Sequence, residues 1–99
     1  MSKFSAADIS ALLMTSAATK QDTAAQCSDK AFAAAEMIAA SLAAGGKLML
    51  CGNGGSAGDA QHLAAEFVAT LDHQRPRDGL PAMALTTDTS FITAYANDF

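Results

Sequence analysis

Leu48-Met-Leu-Cys-Gly-Asn-Gly-Gly-Ser-Ala-Gly-Asp-Ala-Gln-His-Leu-Ala-Ala-Glu66 decides the fold: a short apolar strand runs into a glycine and serine loop, and the loop opens a helix carrying His62 and Glu66. Gly52, Gly54 and Gly55 lack a Cβ, so the backbone is free to take positive φ and its N–H groups can close on a ligand. A helix starting near Ala57 points unpaired N–H groups and the positive end of its dipole at the same spot, which suits a phosphate or carboxylate. Ser56 is the expected N-cap, and Ser56-x-x-Asp59 is a capping-box pattern with Asp in place of Glu or Gln. No Lys or Arg lies between Lys47 and Arg75. Neutral donors would therefore hold the anion, and the Lys-Ser/Thr pair of a Walker A loop is missing. Two other readings stay open on the loop alone: a tight strand-to-helix connection, and the loose dinucleotide pattern Gly52-x-Gly54-x-x-Ala57.

At about 100° per residue, Asp59, His62 and Glu66 fall within about 60° of one another on the helix that follows. Ala60, Leu63, Ala64, Phe67 and Val68 fill the opposite arc. If that apolar arc packs on a sheet, the two carboxylates and the imidazole form a stripe that begins at the mouth of the loop. His62 and Glu66 are four apart, the spacing at which helical side chains touch. They can share a proton, orient each other or ligate one metal from a single helical face; an ordinary solvated Glu/His pair is the plain alternative.

Outward from this segment the chain reads as strand, helix and strand behind a helical arm. Ser5 caps a first helix over residues 6–18, residues 19–22 break its apolar pattern, and a second helix covers 23–44 with Phe32, Ala35, Ile38, Ala39 and Leu42 at helical spacing. Gly45-Gly46 supplies the stop. The abundance of alanine there suggests close helix packing against another subunit. Residues 47–51 and 82–85 read as strands, apolar without alternation after Lys47, as strands covered on both faces are. Between them, 71–79 is a polar loop with Arg75-Pro76 and Asp78-Gly79, and a last helix begins near 90, capped by Asp88 or Ser90. This spacing predicts a right-handed parallel crossover. Ligands in such sheets sit beyond the carboxyl ends of the strands, where residues 52–56 and 86–90 fall; Thr86, Thr87 and Asp88 are expected along the pocket wall.

The whole-chain properties narrow the class. With 99 residues, 51% of them hydrophobic, the chain is one small domain at most, yet two parallel strands leave sheet faces and edges uncovered. A net charge of −4 offers no basic field for nucleic acid. The N-terminus has no apolar signal core and no run reaches membrane-spanning length, so neither a nucleic acid nor a membrane is expected as partner and the cytoplasm is the expected compartment. Cys27 and Cys51 are expected as reduced, packed thiols, and Met14, Met37, Met49 and Met83 as core fillers. His73, beside Asp72 in the polar loop, is expected to be solvated.

Cys51 through Phe67, followed by Arg75-Pro76, Leu80-Pro-Ala-Met-Ala-Leu-Thr-Thr-Asp88 and Ala96-Asn-Asp-Phe99, resembles the phosphoheptose isomerase family of sugar isomerase (SIS) domain proteins. The resemblance is ordered from about Gly45 to the last residue; the helical part before it agrees in pattern only. It implies an α/β fold of flavodoxin-like type, a parallel sheet sandwiched by helices with an N-terminal helical arm. Residues 1–44 would be the oligomerisation segment and 45–99 the N-terminal part of the phosphosugar-binding domain.

The resemblance also implies a chemistry. It places Asn53, Gly54, Gly55 and Ser56 at the phosphate of a sugar phosphate and Asn97 and Asp98 at the sugar hydroxyls. It makes His62 and Glu66 two ligands of a zinc ion, with Glu66 also contacting substrate and transferring the proton. The implied reaction converts sedoheptulose 7-phosphate to D-glycero-D-manno-heptose 7-phosphate, the first step toward the heptose of lipopolysaccharide, in a homotetramer. The family's second Ser/Thr-rich phosphate loop, distal Gln and distal His have no counterpart in these 99 residues, so the chain reads as the N-terminal half of such a domain and its activity alone is left open. A non-catalytic relative that binds the replication initiator shares the loop but lacks the helix glutamate; Glu66 favours the enzyme. A dinucleotide-binding fragment would leave His62 and Glu66 unexplained.

Overall fold

The computed structural model describes residues 3–99 as three helices and two strands: α1 (Ala6–Ala43), β1 (Leu48–Leu50), α2 (Gly55–Val68), β2 (Ala82–Ala84) and α3 (Thr89–Asp98). The chain divides into two compact units, the first ending at Met37 and the second spanning Ile38–Phe99.

α1 is one helix of 38 residues rather than the two expected, and residues 19–22 do not interrupt it. No Gly or Pro lies within it, and its hydroxyls fold back on the helix itself. Thr15, Thr19 and Thr23 donate to the carbonyls of Ala11, Thr15 and Thr19 at 3.0, 3.1 and 2.8 Å. A stretch that is polar is thus still fully helical, because these side chains satisfy themselves without opening the backbone. The ends follow the sequence closely. Ser5 and Asp8 form a reciprocal cap, the Asp8 carboxylate accepting from the Ser5 amide at 2.8 Å and from the Ser5 hydroxyl at 2.7 Å. At the other end Gly45 takes φ 83°, its amide donates to Leu42 O at 3.1 Å and that of Gly46 to Ser41 O at 2.8 Å, the paired bonds of a Schellman stop.

β1 and β2 pair in parallel, with Leu48 opposite Ala82, Met49 opposite Met83 and Leu50 opposite Ala84. α2 joins them and packs on one face of the pair through Ala60 and Ala64, 4% and 8% exposed, the only buried hydrophobic residues among those described. Small side chains let the helix approach the sheet closely. Along each strand the burial alternates, because α2 covers only the face carrying Leu48, Leu50, Ala82 and Ala84. The expectation of strands covered on both faces is therefore corrected. Met49 and Met83 lie on the open face, Met14 and Met37 are exposed on α1, and both cysteines are free but exposed rather than packed. Leu63 and Val68, at the margins of the apolar arc of α2, are exposed as well.

Candidate functional site

The loop after β1 is shaped by two glycines. A Cβ on Gly52 would sit 2.6 Å from Ser56 Cβ, so the loop folds tightly onto the start of the helix only because that atom is absent. Gly54 takes φ 56° in open space and serves as the N-cap of α2. That left-handed residue starts the helix two positions before the expected point. Ser56 therefore lies inside the first turn and caps nothing, and the proposed pairing of Ser56 with Asp59 is not formed. The amides of Ser56 and Ala57 turn back to the carbonyls of Asn53 and Gly54, both at 3.1 Å. Among the described residues, the amides of Asn53, Gly54 and Gly55 find no acceptor, and neither the Ser56 hydroxyl nor the Asn53 side chain has a hydrogen-bond partner. This is a cluster of unspent donors at a helix N-terminus, the arrangement that binds anions.

Further along the same helix His62 and Glu66 meet, Nε2 to Oε1 at 3.2 Å, with the imidazole 76% exposed and the carboxylate side chain 26% exposed. One nitrogen and one carboxylate oxygen side by side suit the N/O preference of zinc as two of its ligands. Among the described residues no third His, Cys, Asp or Glu joins them, so the fit is to part of a coordination sphere. Asp59 is exposed one turn nearer the loop.

At the carboxyl end of β2, Thr86, Thr87 and Asp88 do three different things. Thr87 Oγ1 donates to Ala84 O at 3.0 Å, and the Asp88 carboxylate accepts from the Phe91 amide at 3.1 Å as the cap of α3, which chooses Asp88 over Ser90. Thr86 Oγ1 is buried without a partner. Asn97 and Asp98 end α3, the Asn97 amide donating to the Asp98 carboxylate at 3.0 Å. α3 packs on neither α2 nor the strands, so packing does not bring Asn97 and Asp98 to the loop.

The geometry has a counterpart in known proteins. The SIS domain family model matches residues 13–98. This chain belongs to the SIS domain family. A phosphoheptose isomerase of Desulfovibrio desulfuricans is 70% identical over 61 residues, 62% of this chain and 28% of that protein. One from Chlorobaculum tepidum is 54% identical over 86 residues, 87% of this chain and 41% of that protein. The solved structure of phosphoheptose isomerase from Neisseria gonorrhoeae superposes with a TM-score of 0.79 at 41% identity, over 92% of this chain and 45% of that one. The chain thus spans between 28% and 45% of the length of these relatives. Its fold is the α/β fold of the family, with the helical layer present on one face of the strand pair.

One residue that bonds to the helix bearing Glu66 escapes a reading of local pattern. Arg77, in what reads as a polar loop, reaches the carbonyls of Glu66 and Phe67 at the end of α2, each at 2.8 Å. The signal for it was indirect: α2 has no basic residue in its last turn, so its terminal carbonyls needed donors from elsewhere.

Proposed function

We propose that this SIS chain carries the phosphate-binding and proton-transferring part of a sedoheptulose 7-phosphate isomerase. The observation that carries the reading is the set of free amides at Asn53, Gly54 and Gly55 opening the helix that bears the His62–Glu66 pair. Identity of 70% over 61 residues to a phosphoheptose isomerase supports it. The phosphate docks on those amides and on the Ser56 hydroxyl, with neutral donors and the helix dipole balancing its charge. The open-chain sugar then extends along α2 toward Glu66, with Asn97 and Asp98 engaging its hydroxyls.

A ketose-to-aldose shift removes a proton from C1, beside the C2 carbonyl, and returns one to C2, while a hydroxyl proton passes from O1 to O2. Glu66 is the base and then the acid for the carbon-bound proton, and His62 holds its carboxylate in place. His62 and Glu66 would also hold a zinc ion as two of its ligands, and such an ion would supply Lewis acidity to the substrate oxygens beside Glu66. The reading implies a cytoplasmic homotetramer that starts heptose synthesis for lipopolysaccharide, with residues 1–44 as its assembly segment and 45–99 as the phosphosugar-binding part.

A chimera tests this. The 99-residue chain alone is expected to show no turnover of sedoheptulose 7-phosphate, because the zinc set is incomplete within it. Substituted for the matching segment of the Desulfovibrio desulfuricans relative, it is expected to support turnover, and Glu66→Gln in that chimera to lower kcat by roughly 10²–10⁴-fold. A folded chimera that binds the sugar phosphate without turning it over would instead mark a non-catalytic binding module.

A further inference from the structure

The C-terminal turn of α2 is held by a segment distant in sequence. No glycine follows Val68, and the carbonyls of the last turn are collected by the chain returning toward β2. Arg77 Nη2 donates to Glu66 O at 2.8 Å, while Nη1 donates to Phe67 O at 2.8 Å and to Asp78 O at 3.0 Å. The Leu80 amide adds a second bond to Phe67 O at 2.9 Å. Gly79 lies so close to the helix end that a Cβ there would sit 2.5 Å from Val68 O, so the strap depends on its being glycine. The guanidinium is a rigid fork, and here it spans two successive carbonyls, one belonging to Glu66 itself.

These bonds bear directly on the Glu66 carboxylate. A last helical turn frays when its carbonyls are free, and Glu66 is in that turn while His62 is one turn deeper. Fraying would therefore move one member of the His62–Glu66 pair and leave the other. Glu66 also lines, with Phe67, Leu71, Asp72, Arg75, Arg77 and Leu80, a pocket of about 450 Å³, so the strap and the Glu66 position border one cavity.

We propose that Arg77 is the positioning residue of Glu66: by bridging the Glu66 and Phe67 carbonyls it fixes the carboxylate against His62, in the geometry that metal binding and proton transfer require. This rests on the reading of Glu66 as metal ligand and proton-transfer group. Lysine keeps the charge at the helix C-terminus but cannot bridge both carbonyls, so Arg77→Lys separates the fork from the charge.

The test uses the isotope-labelled 99-residue chain, with Zn²⁺ as probe. Three-bond couplings report the Glu66 χ1 rotamer, calorimetry the Zn²⁺ affinity, and circular dichroism the helix content. Wild type is expected to show one Glu66 rotamer. Arg77→Lys is expected to average that rotamer and weaken Zn²⁺ binding about tenfold, the low end of what an outer-sphere partner contributes, with helix content unchanged. Arg75→Lys, which alters the same pocket without touching the α2 carbonyls, is expected to change neither. In a Glu66→Gln background Arg77→Lys is expected to cost Zn²⁺ affinity nothing further, because its effect passes through Glu66. An unchanged rotamer in Arg77→Lys, or the same tenfold loss without Glu66, overturns the proposal. Should wild type bind no Zn²⁺, the metal reading fails by itself, and the rotamer couplings still decide for or against Arg77.

Discussion

At the residue scale, Asp8 shows how the chain uses a single carboxylate. The Ser5 hydroxyl, first, and the Ser5 amide, second, donate to it and hold its pKa below the ordinary carboxylate value. A depressed carboxylate stabilises the fold above its unfolded pKa of about 3.9, and the contribution is lost as pH falls through the lower folded value. The first turn of α1 is therefore expected to fray below about pH 4, with the rest of the helix intact. Amide exchange at Asp8 and Ile9 followed against pH measures it, and Asp8→Asn should remove the pH dependence. Protection that is flat down to acid pH would show that the cap does not depend on the charge. Gly54 is the same lesson in backbone form: at φ 56° with nothing crowding it, its role is conformational, and any side chain acts there through strain.

At the scale of elements, α1 stands out: 38 residues with none buried, and Ile9, Leu12, Leu13, Phe32 and Met37 all exposed. Alanine-rich sequence sustains a long helix, but in proteins most helical stability comes from burying a face. We expect α1 to gain that burial in self-association, so that helix content rises with protein concentration while light scattering reports more than one copy. A monomer of constant helicity across the concentration range would remove α1 as an assembly element. The helix also shows where local pattern is readable and where it is not. Ser5 and Gly45-Gly46 marked its ends, because caps and stops are chemical signals carried by one or two residues. The break expected at residues 19–22 was an error of reading polarity as interruption, since Thr19 and Thr23 bond their own helix. Likewise Ser56 looked like a cap, and Gly54 pre-empted it through a left-handed φ that composition does not reveal.

For the whole molecule, a chain that is 51% hydrophobic buries only Ala60 and Ala64 among its described hydrophobic residues, and leaves Met49, Met83 and Leu85 exposed. Burial on both strand faces was expected from composition, and composition does not state how many layers are at hand to cover a sheet. The glycine loop opening α2 and the His62–Glu66 contact were legible because each lies within one segment, where spacing alone sets the geometry. Arg77 was not, because its bonds to α2 span ten and eleven residues and exist only once the chain has turned back. Asn97 and Asp98, assigned by resemblance, lie on a helix that no other element holds, and their role rests on the proposal. The central claim, that the amides of Asn53, Gly54 and Gly55 and the Ser56 hydroxyl cradle the phosphate of a sugar phosphate, is tested most directly by titrating the ¹⁵N-labelled chain with sedoheptulose 7-phosphate. The predicted result is saturable shifts concentrated on the amides of Asn53, Gly54, Gly55 and Ser56, abolished by Gly54→Val while α2 stays helical. Shifts centred on Arg75 and Arg77 instead, or binding that survives Gly54→Val, would contradict it.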